Sequence, residues 1–483
     1  MEQKNKKVSK NIIWSVIERL CSQGMYFFVS IILARLILPE EYGVITIVTV
    51  FVNLCGVVVQ SGFSSALIYS EGDDVKHYST AFWGTLLVTC GLYIIMFIAA
   101  PGIALFYEVP KLTLYVRVMS FQFIFQGIQS IPFAYVSKHM LFRKNYVATF
   151  CGVVVSAVIA ITLAVSGLGV WALIGMTSIE VIVATIILWI SLKFKIAFVF
   201  DKTIFKQMLR YCWKLVAVDL LNALYSSLNS IIIGKKFTKS DVAYYNKAYN
   251  LPQTMFGSVN TAISKVLFPV FAEKEIDDFE RLSMLRRSIR TINYVMFPML
   301  AGLAAIAPTF VVVLFTDKWS AMTIYLQIMC VVWMFQPVQT CAIQMFKAVG
   351  KNDVYLKLEI IKKILAIAIL ISFIVIFNSA IGIAWALLTG QILSALMNVP
   401  IMKKHLGYRY RHQLKDMCSS VLLCIVMVVL TCAVGMLVQN LIVTLIVQVL
   451  VGVGTYVVLS LVSKNENFMY VYKTLTSSLL KRN

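Results

Sequence analysis

The sequence predicts an all-α polytopic membrane protein of about fourteen transmembrane helices, and three observations lead there. Sixty per cent of the 483 residues are apolar, only 13% are charged, and mean hydropathy is +0.84, a balance typical of chains that live in lipid. Apolar runs long enough to cross a bilayer, roughly 20 residues each, recur along the whole chain. A stretch also occurs twice: Tyr115-Val-Arg-Val-Met-Ser-Phe-Gln-Phe-Ile-Phe-Gln-Gly-Ile-Gln129 and Tyr325-Leu-Gln-Ile-Met-Cys-Val-Val-Trp-Met-Phe-Gln-Pro-Val-Gln339 share Tyr, Met, Phe and two Gln at matching positions. Duplicated membrane halves of this size point to a carrier with its site between the repeats.

The spans fall at 11–37, 42–68, 79–107, 111–137, 145–165, 168–192, 205–233, 241–269, 286–315, 321–347, 353–377, 380–402, 415–438 and 440–463. The first follows a basic stretch, Met1 to Lys10, but is too long for a secretory apolar core and has no small-residue cleavage site, so it reads as a span. Spans 4 and 10 carry the duplicated stretch. Ser166-Gly-Leu-Gly-Val-Trp-Ala-Leu173 opens span 6 and Ser379-Ala-Ile-Gly-Ile-Ala-Trp-Ala-Leu387 opens span 12, so spans 1–6 pair with 7–12. Six is even, so the repeats are parallel, related by an axis along the membrane normal. Spans 13 and 14 lie outside the duplication. The expected divisions are 1–200 (spans 1–6), 201–405 (spans 7–12) and 406–483 (spans 13–14 and a tail), with 193–206 as the link between lobes. The longest loop, near 270–285, leaves no room for a soluble domain.

Net charge is +21, from 43 Lys and Arg against 22 Asp and Glu. With the N-terminus inside, 32 of those cations fall in inner segments, 7 in outer ones and 4 within spans. That bias fits the positive-inside rule with both termini cytoplasmic. Glu71, Asp73 and Asp74 dissent on one inner loop, but acids carry little weight in the rule. Without a soluble basic domain, nucleic acid is not an expected partner. The ten cysteines form no CxxC pair and mostly sit in spans, where they read as small apolar residues. His77, His139, His405 and His412 all fall in inner loops. No metal-ligand spacing or nucleophile motif appears, so neither metal nor cofactor is expected.

Four spans carry a polar face at helical spacing. Asn11, Ser15, Glu18, Arg19, Ser22, Gln23, Tyr26 and Ser30 share less than half of span 1. Thr46, Thr49, Asn53, Gln60 and Ser64 form a stripe on span 2, and Asp219, Asn222, Ser226, Asn229 and Ser230 one on span 7. Lys247, Asn250, Thr254, Ser258, Thr261 and Lys265 align on span 8. A cavity lined by these four spans hides every stripe from lipid; the plainer alternative is that Ser and Thr merely glue helices together. A charge at helix depth costs about 2.5–3.5 kcal/mol or more unless it meets water or a partner, which favours the cavity for Arg19, Asp219 and Lys265. Arg19 lies roughly 12 Å into its span at 1.5 Å per residue. Lys214 sits at similar depth, Lys265 about one turn from the inner end, and Lys247 nearer the outer end; snorkelling is the competing reading for both Lys265 and Lys247. Arg19, Lys214, Lys247 and Lys265 are the candidate cationic site. Glu18, Ser22, Gln23, Asn53, Gln60, Asn222, Asn250, Thr254 and Ser258 are its candidate polar lining. Such a cavity suits an anionic substrate. Gln122, Gln126 and Gln129, with Gln336 and Gln339, share a helix face and read as interhelical hydrogen bonds, with sugar contacts as the alternative. Pro132, Pro252, Pro298, Pro308 and Pro337 break hydrogen bonding within spans.

Ala34-Arg-Leu-Ile-Leu-Pro-Glu-Glu-Tyr-Gly43, Gly62-Phe-Ser-Ser-Ala-Leu-Ile68, Ala243-Tyr-Tyr-Asn-Lys-Ala-Tyr249, Phe268-Pro-Val-Phe271 and Lys347-Ala-Val-Gly350 carry a resemblance over essentially the whole chain. The chain resembles the polysaccharide transport branch, the Wzx-like flippases of lipid-linked oligosaccharides, of the multidrug/oligosaccharidyl-lipid/polysaccharide exporter superfamily. The resemblance implies a V-shaped two-lobe carrier working by alternating access. It implies an undecaprenyl-diphosphate-linked oligosaccharide as cargo, moved from the inner to the outer leaflet for surface polysaccharide. It implies that spans 13 and 14 help accommodate the lipid tail, and that an ion gradient drives the cycle, with Asp219 or Glu18 as the coupling carboxylate. Membrane lipid and polysaccharide polymerase or chain-length proteins are the partners it suggests. A drug exporter of the same fold shares the architecture but favours an acidic cavity. A membrane polymerase or ligase needs a sizeable outer loop, and the loops at 234–240 and 316–320 are too short.

Overall fold

The computed structural model describes residues 21–469 apart from 61, 70–73, 193–195, 273–277 and 349–351. The described residues are helical throughout, with short connections and no strand among them. In chain order the helices are α1 (Cys21–Leu36), α2 (Pro39–Gln60), α3 (Phe63–Tyr69), α4 (Val75–Tyr107), α5 (Leu112–Ser120), α6 (Gln122–Lys138), α7 (Phe142–Val165), α8 (Gly169–Leu192) and α9 (Lys202–Lys236). Then come α10 (Lys239–Ala272), α11 (Asp278–Phe315), α12 (Met322–Met334), α13 (Gln336–Ala348), α14 (Asn352–Phe377), α15 (Ala380–Leu406), α16 (Tyr410–Leu437) and α17 (Leu441–Val462). Eleven stretches among the described residues are long and apolar enough to cross a membrane, so this is a multi-pass membrane protein. The other three expected spans correspond to α1, described from Cys21 only, to the pair α5 and α6, and to α10, which carries Lys239, Asp241, Lys247 and Lys265.

Both copies of the duplicated stretch break in the same way. Phe121 interrupts the fourth span and its N–H donates to the Val118 carbonyl at 3.2 Å. Phe335 interrupts the tenth, donating to the Val332 carbonyl at 3.4 Å. An i→i−3 bond tightens the last turn and lets the next helix start at a new angle.

Contacts group the chain into two units, Met1–Ala243 and Tyr244–Asn483. In the first, α7 and α8 pack closely because α7 offers Ala148, Gly152, Ser156, Ala160 and Ala164, all buried, at four-residue spacing. Small residues at that spacing let backbones approach where lipid supplies no hydrophobic drive. A Cβ on Gly152 would press on the Glu180 carbonyl of α8. The connection 196–201 is tied to α4: Trp83 Nε1 donates to the Ala197 carbonyl, and Ser79 Oγ and Thr80 Oγ1 accept from the backbone N–H groups of Ala197 and Asp201.

In the second unit α11 packs against α16 and α17. Tyr294 OH donates to Ser460 Oγ at 2.6 Å, and Tyr456 OH donates to the Tyr294 carbonyl at 2.8 Å. Below them, Asp416 of α16 has a fully buried side chain. Arg286 reaches it through Nε and Nη2 at 3.1 and 2.9 Å, and Arg290 through Nε at 2.6 Å. A carboxylate taken out of water needs such charged donors. Gln339 of α13 donates to Gln391 of α15 and accepts from Ser394 at 3.3 Å, an interhelical bond of the kind its face suggests.

Removing the carboxylate leaves two guanidiniums facing an emptied site. Asp416→Ala is expected to cost about 3–5 kcal/mol, read as a large drop in the thermal unfolding temperature of the detergent-purified protein. Ser460→Ala, which removes one neutral acceptor, is expected to cost only about 1 kcal/mol.

Candidate functional site

Helix α9 centres the site in the first unit, because it is held at both ends and bare between them. Its start is capped by Asp201, whose carboxylate accepts from the N–H groups of Thr203 and Ile204 at 2.7 and 3.1 Å. The same carboxylate pairs with Lys76 of α4 at 2.6 Å. The Lys76 ammonium and the two capping N–H groups pull the Asp201 carboxyl down to about 2. One turn on, Phe205 stacks on Phe63 at 5.2 Å and fills the space over Gly84. Met208 and Cys212 then enter a core with Phe63, Leu67, Tyr78 and Ile131.

At the far end Ile233 and Gly234 are buried again. Gly234 lies against Ile47 and Tyr107, where any Cβ would be tight. Two turns of matching design meet here. In the first, Pro39 opens α2 and Glu41 accepts from the Leu38 N–H at 3.4 Å. In the second, Asp241 accepts from the N–H and hydroxyl of Thr238 while Thr238 Oγ1 accepts from the Asp241 N–H, a capping box. Each leaves two residues between helices, Ile37-Leu38 and Phe237-Thr238. The turns touch at Gly43, where a Cβ would collide with the Lys239 carbonyl. Lys239 Nζ donates to the Tyr107 and Gly234 carbonyls at 3.1 and 2.9 Å. Lys235 pairs with Glu108 at 2.8 Å, and this ammonium lowers the Glu108 carboxyl below its ordinary range.

Between those anchors, from Trp213 to Asn229, no residue of α9 is buried. One side of that stretch is apolar, with Trp213, Leu221 and Leu224 exposed. The other carries Asp219, Asn222 and Ser226, also exposed, leading to half-buried Asn229 and buried Ser230. Ser226 returns its hydroxyl to the Ala223 carbonyl. Lys214 is exposed, with Nζ 5.9 Å from the Trp213 ring. At 3.6 residues per turn it lies roughly 140° from Asp219, off the polar stripe.

The remaining candidates divide by helix. Glu18 and Arg19 lie outside the described residues, as do the side chains of Ser258 and Lys265. On α1, Ser22 is buried and its Oγ meets no partner among the described residues, while Gln23 is half-buried. On α2, Asn53 and Gln60 are exposed, but Thr46 and Thr49 donate to the carbonyls of Tyr42 and Ile45. On α10, Asn250 and Thr254 are exposed, with the Thr254 hydroxyl on the Asn250 carbonyl. Lys247 sits against buried aromatics of its own unit, its Nζ 5.2 Å from the Phe315 ring centre and 5.0 Å from that of Trp319. Such rings hold a cation by their electron-rich faces. Two clusters escaped the sequence reading: the Lys76–Asp201 clasp and the Glu108, Lys235 and Lys239 group. Their partners lie over 120 residues apart, beyond any spacing rule.

Residues 32–324, more than half of the sequence, match the model of a family described as polysaccharide biosynthesis protein. The chain belongs to that family. It is 25% identical over 315 residues to the succinoglycan biosynthesis transport protein ExoT of Rhizobium meliloti (strain 1021), covering 65% of this chain and 64% of that one. It thus spans a little under two thirds of that relative's length. The lipopolysaccharide biosynthesis protein WzxC of Escherichia coli (strain K12) is 24% identical over 441 residues, covering 88% of this chain and 87% of that one. A solved structure of the lipid II flippase MurJ, in an inward closed conformation, matches with a TM-score of 0.71 and 16% identity over 94% of this chain and 99% of that one. The likeness fixes a shared backbone fold.

The clasp below α9 has a defined pH window. A carboxyl held near 2 in the folded chain, against an ordinary value of 3.8, contributes fully above the ordinary value and fades as pH falls through about 2. Hydrogen exchange of 196–204, corrected for intrinsic rates, is therefore expected to hold constant from pH 7 to pH 5. Lys76→Met is expected to raise it at every pH in that range.

Proposed function

We propose that the chain is a flippase that carries an anionic, lipid-linked oligosaccharide from the inner to the outer leaflet of a bacterial inner membrane. The observation that carries the reading is the bare middle of α9. That stretch buries none of its residues and leaves Asp219, Asn222 and Ser226 exposed, and an aqueous path on that side keeps exposed polar groups from hydrocarbon. Family membership, the transport and lipopolysaccharide roles in the relatives' names, and the fold shared with a lipid II flippase support the substrate class. Water and an oligosaccharide head occupy the polar path while the lipid tail stays in the bilayer.

In this reading Arg19, Lys214, Lys247 and Lys265 attract the diphosphate, and Ser22, Gln23, Asn53, Gln60, Asn222, Asn250, Thr254 and Ser258 hydrogen-bond the glycan. Asp219 or Glu18 couples the cycle to an ion. Lobes at 1–200 and 201–405 move about the link between them, residues 406–483 serve the lipid tail, and both termini are cytoplasmic. The protein moves its cargo without changing it and hands it to a polymerase and chain-length proteins.

Deleting the protein from its host is expected to abolish surface polysaccharide and to accumulate lipid-linked oligosaccharide on the inner leaflet. Wild type is expected to restore both, and Arg19→Ala neither, by glycan staining and mass spectrometry of extracted lipids. Unchanged glycan with raised sensitivity to small toxic cations would assign the chain to drug export instead. Asp219→Asn is expected to flatten the pH dependence of transport in proteoliposomes; an unaltered profile removes Asp219 as the coupling group.

A further inference from the structure

Helix α11 is too long for the membrane it crosses. Its 38 residues extend about 57 Å, against a hydrocarbon core of about 30 Å. Its outer end is fixed, since Phe315 is fully buried beside Trp319. The excess therefore projects from the inner side, the end that the Lys and Arg bias places in the cytoplasm. This projecting part carries Phe279, Arg286, Arg287 and Arg290 at helical spacing, so they share one face. With Glu466 and Asn467, just beyond α17, that face walls a pocket of about 380 Å³.

The pocket has a built floor. Arg286 and Arg290 are held by the buried Asp416 carboxylate. Two guanidiniums on one carboxylate leave one positive charge over. Arg290 spends only its Nε on Asp416, and its terminal nitrogens make no other hydrogen bond among the described residues. Arg287, exposed, adds a second cation at the rim. Arg290 lies about 38 Å along the helix from Phe315, just past a hydrocarbon core of about 30 Å, and so at headgroup depth.

We propose that this pocket binds the phosphate headgroup of an anionic phospholipid of the inner leaflet. Guanidinium forks match phosphate oxygens bidentately, and Arg290 is held with its outer nitrogens available for that. The net positive charge of the arginines favours a head that carries no cation of its own, hence phosphatidylglycerol over phosphatidylcholine, and Glu466 on the opposite wall accepts from the glycerol hydroxyl. Basic pockets between transmembrane helices on the cytoplasmic side bind anionic headgroups by this chemistry. The site lies within the second unit, and the assignment does not depend on what the protein transports.

The test is native mass spectrometry of the purified full-length protein with phosphatidylglycerol or phosphatidylcholine added. Phosphatidylglycerol adducts are expected to outlast phosphatidylcholine adducts as collision energy rises. Arg287→Gln is expected to weaken them about fivefold, the worth of one cation at a membrane surface. Asp416 keeps both of its partners in this variant, and a cooperative melting transition checks that it is folded. Arg290→Lys, which keeps the charge but loses the fork, is expected to weaken binding as well. Equal retention of the two lipids, or equal phosphatidylglycerol binding by Arg287→Gln, overturns the proposal. Displacement of phosphatidylglycerol by an equal concentration of inorganic phosphate overturns it in favour of a free-phosphate site.

Discussion

The bilayer forces every polar group in a spanning segment to find water or a partner, and the rest of this structure follows from that demand. Backbone groups meet it by being helical throughout, since a helix satisfies its own donors and acceptors. Hydroxyls meet it locally: Thr46, Thr49, Thr85 and Thr254 all return their protons to a carbonyl four residues back. Amides such as Gln339 meet it across helices. Charges have fewer solutions, and the solution each one uses indicates what it does.

Several charges on the helices are engaged in ways that fix structure. Asp416 takes two arginines, and Lys362 sits 2.7 Å from Glu359 one turn away. The C-terminal ends of α4 and α9 are joined by Lys235 and Glu108, with Lys239 donating to two carbonyls beside them. On the α9 stripe, Asp219, Asn222 and Ser226 are exposed. A helix pinned at Phe205 and at Gly234, with nothing buried from Trp213 to Asn229, joins a rigid frame to an exposed polar surface. Rigid ends and an unpacked middle suit a large cargo, which meets a lined path without having to displace packed side chains.

Much of this was legible in the sequence because it depends on short-range pattern. Apolar runs marked the eleven stretches that are long and apolar enough to cross a membrane among the described residues, and helical spacing marked the polar face of α9 from Asp219 to Ser230. The small-residue stripe from Ala148 to Ala164 is equally local. What escaped depends on distant partners or local geometry. Arg286 and Arg290 counted as loop charges in the topology, yet they lie on α11 and bind a residue 126 to 130 positions away. The break at Phe335 has Pro337 in the first turn of the next helix, whereas the break at Phe121 has no proline beside it and no residue type announces it. Lys214 was grouped with the α9 site by depth alone, whereas its angular position sets it apart from the stripe. Glu18, Arg19 and the side chain of Lys265 lie outside the described residues, so their part in the site rests on sequence.

The central claim is that one side of mid-α9 faces water and the other faces lipid. Single cysteines at Asp219, Asn222, Ser226, Leu221 and Leu224, each in a background with the ten native cysteines replaced, test it directly in membrane vesicles. A membrane-impermeant thiol reagent, applied from each side in turn, is expected to label 219, 222 and 226 and to leave 221 and 224 unlabelled. Labelling of both sides alike, or of neither, would mean that α9 lines no aqueous path and would contradict the account.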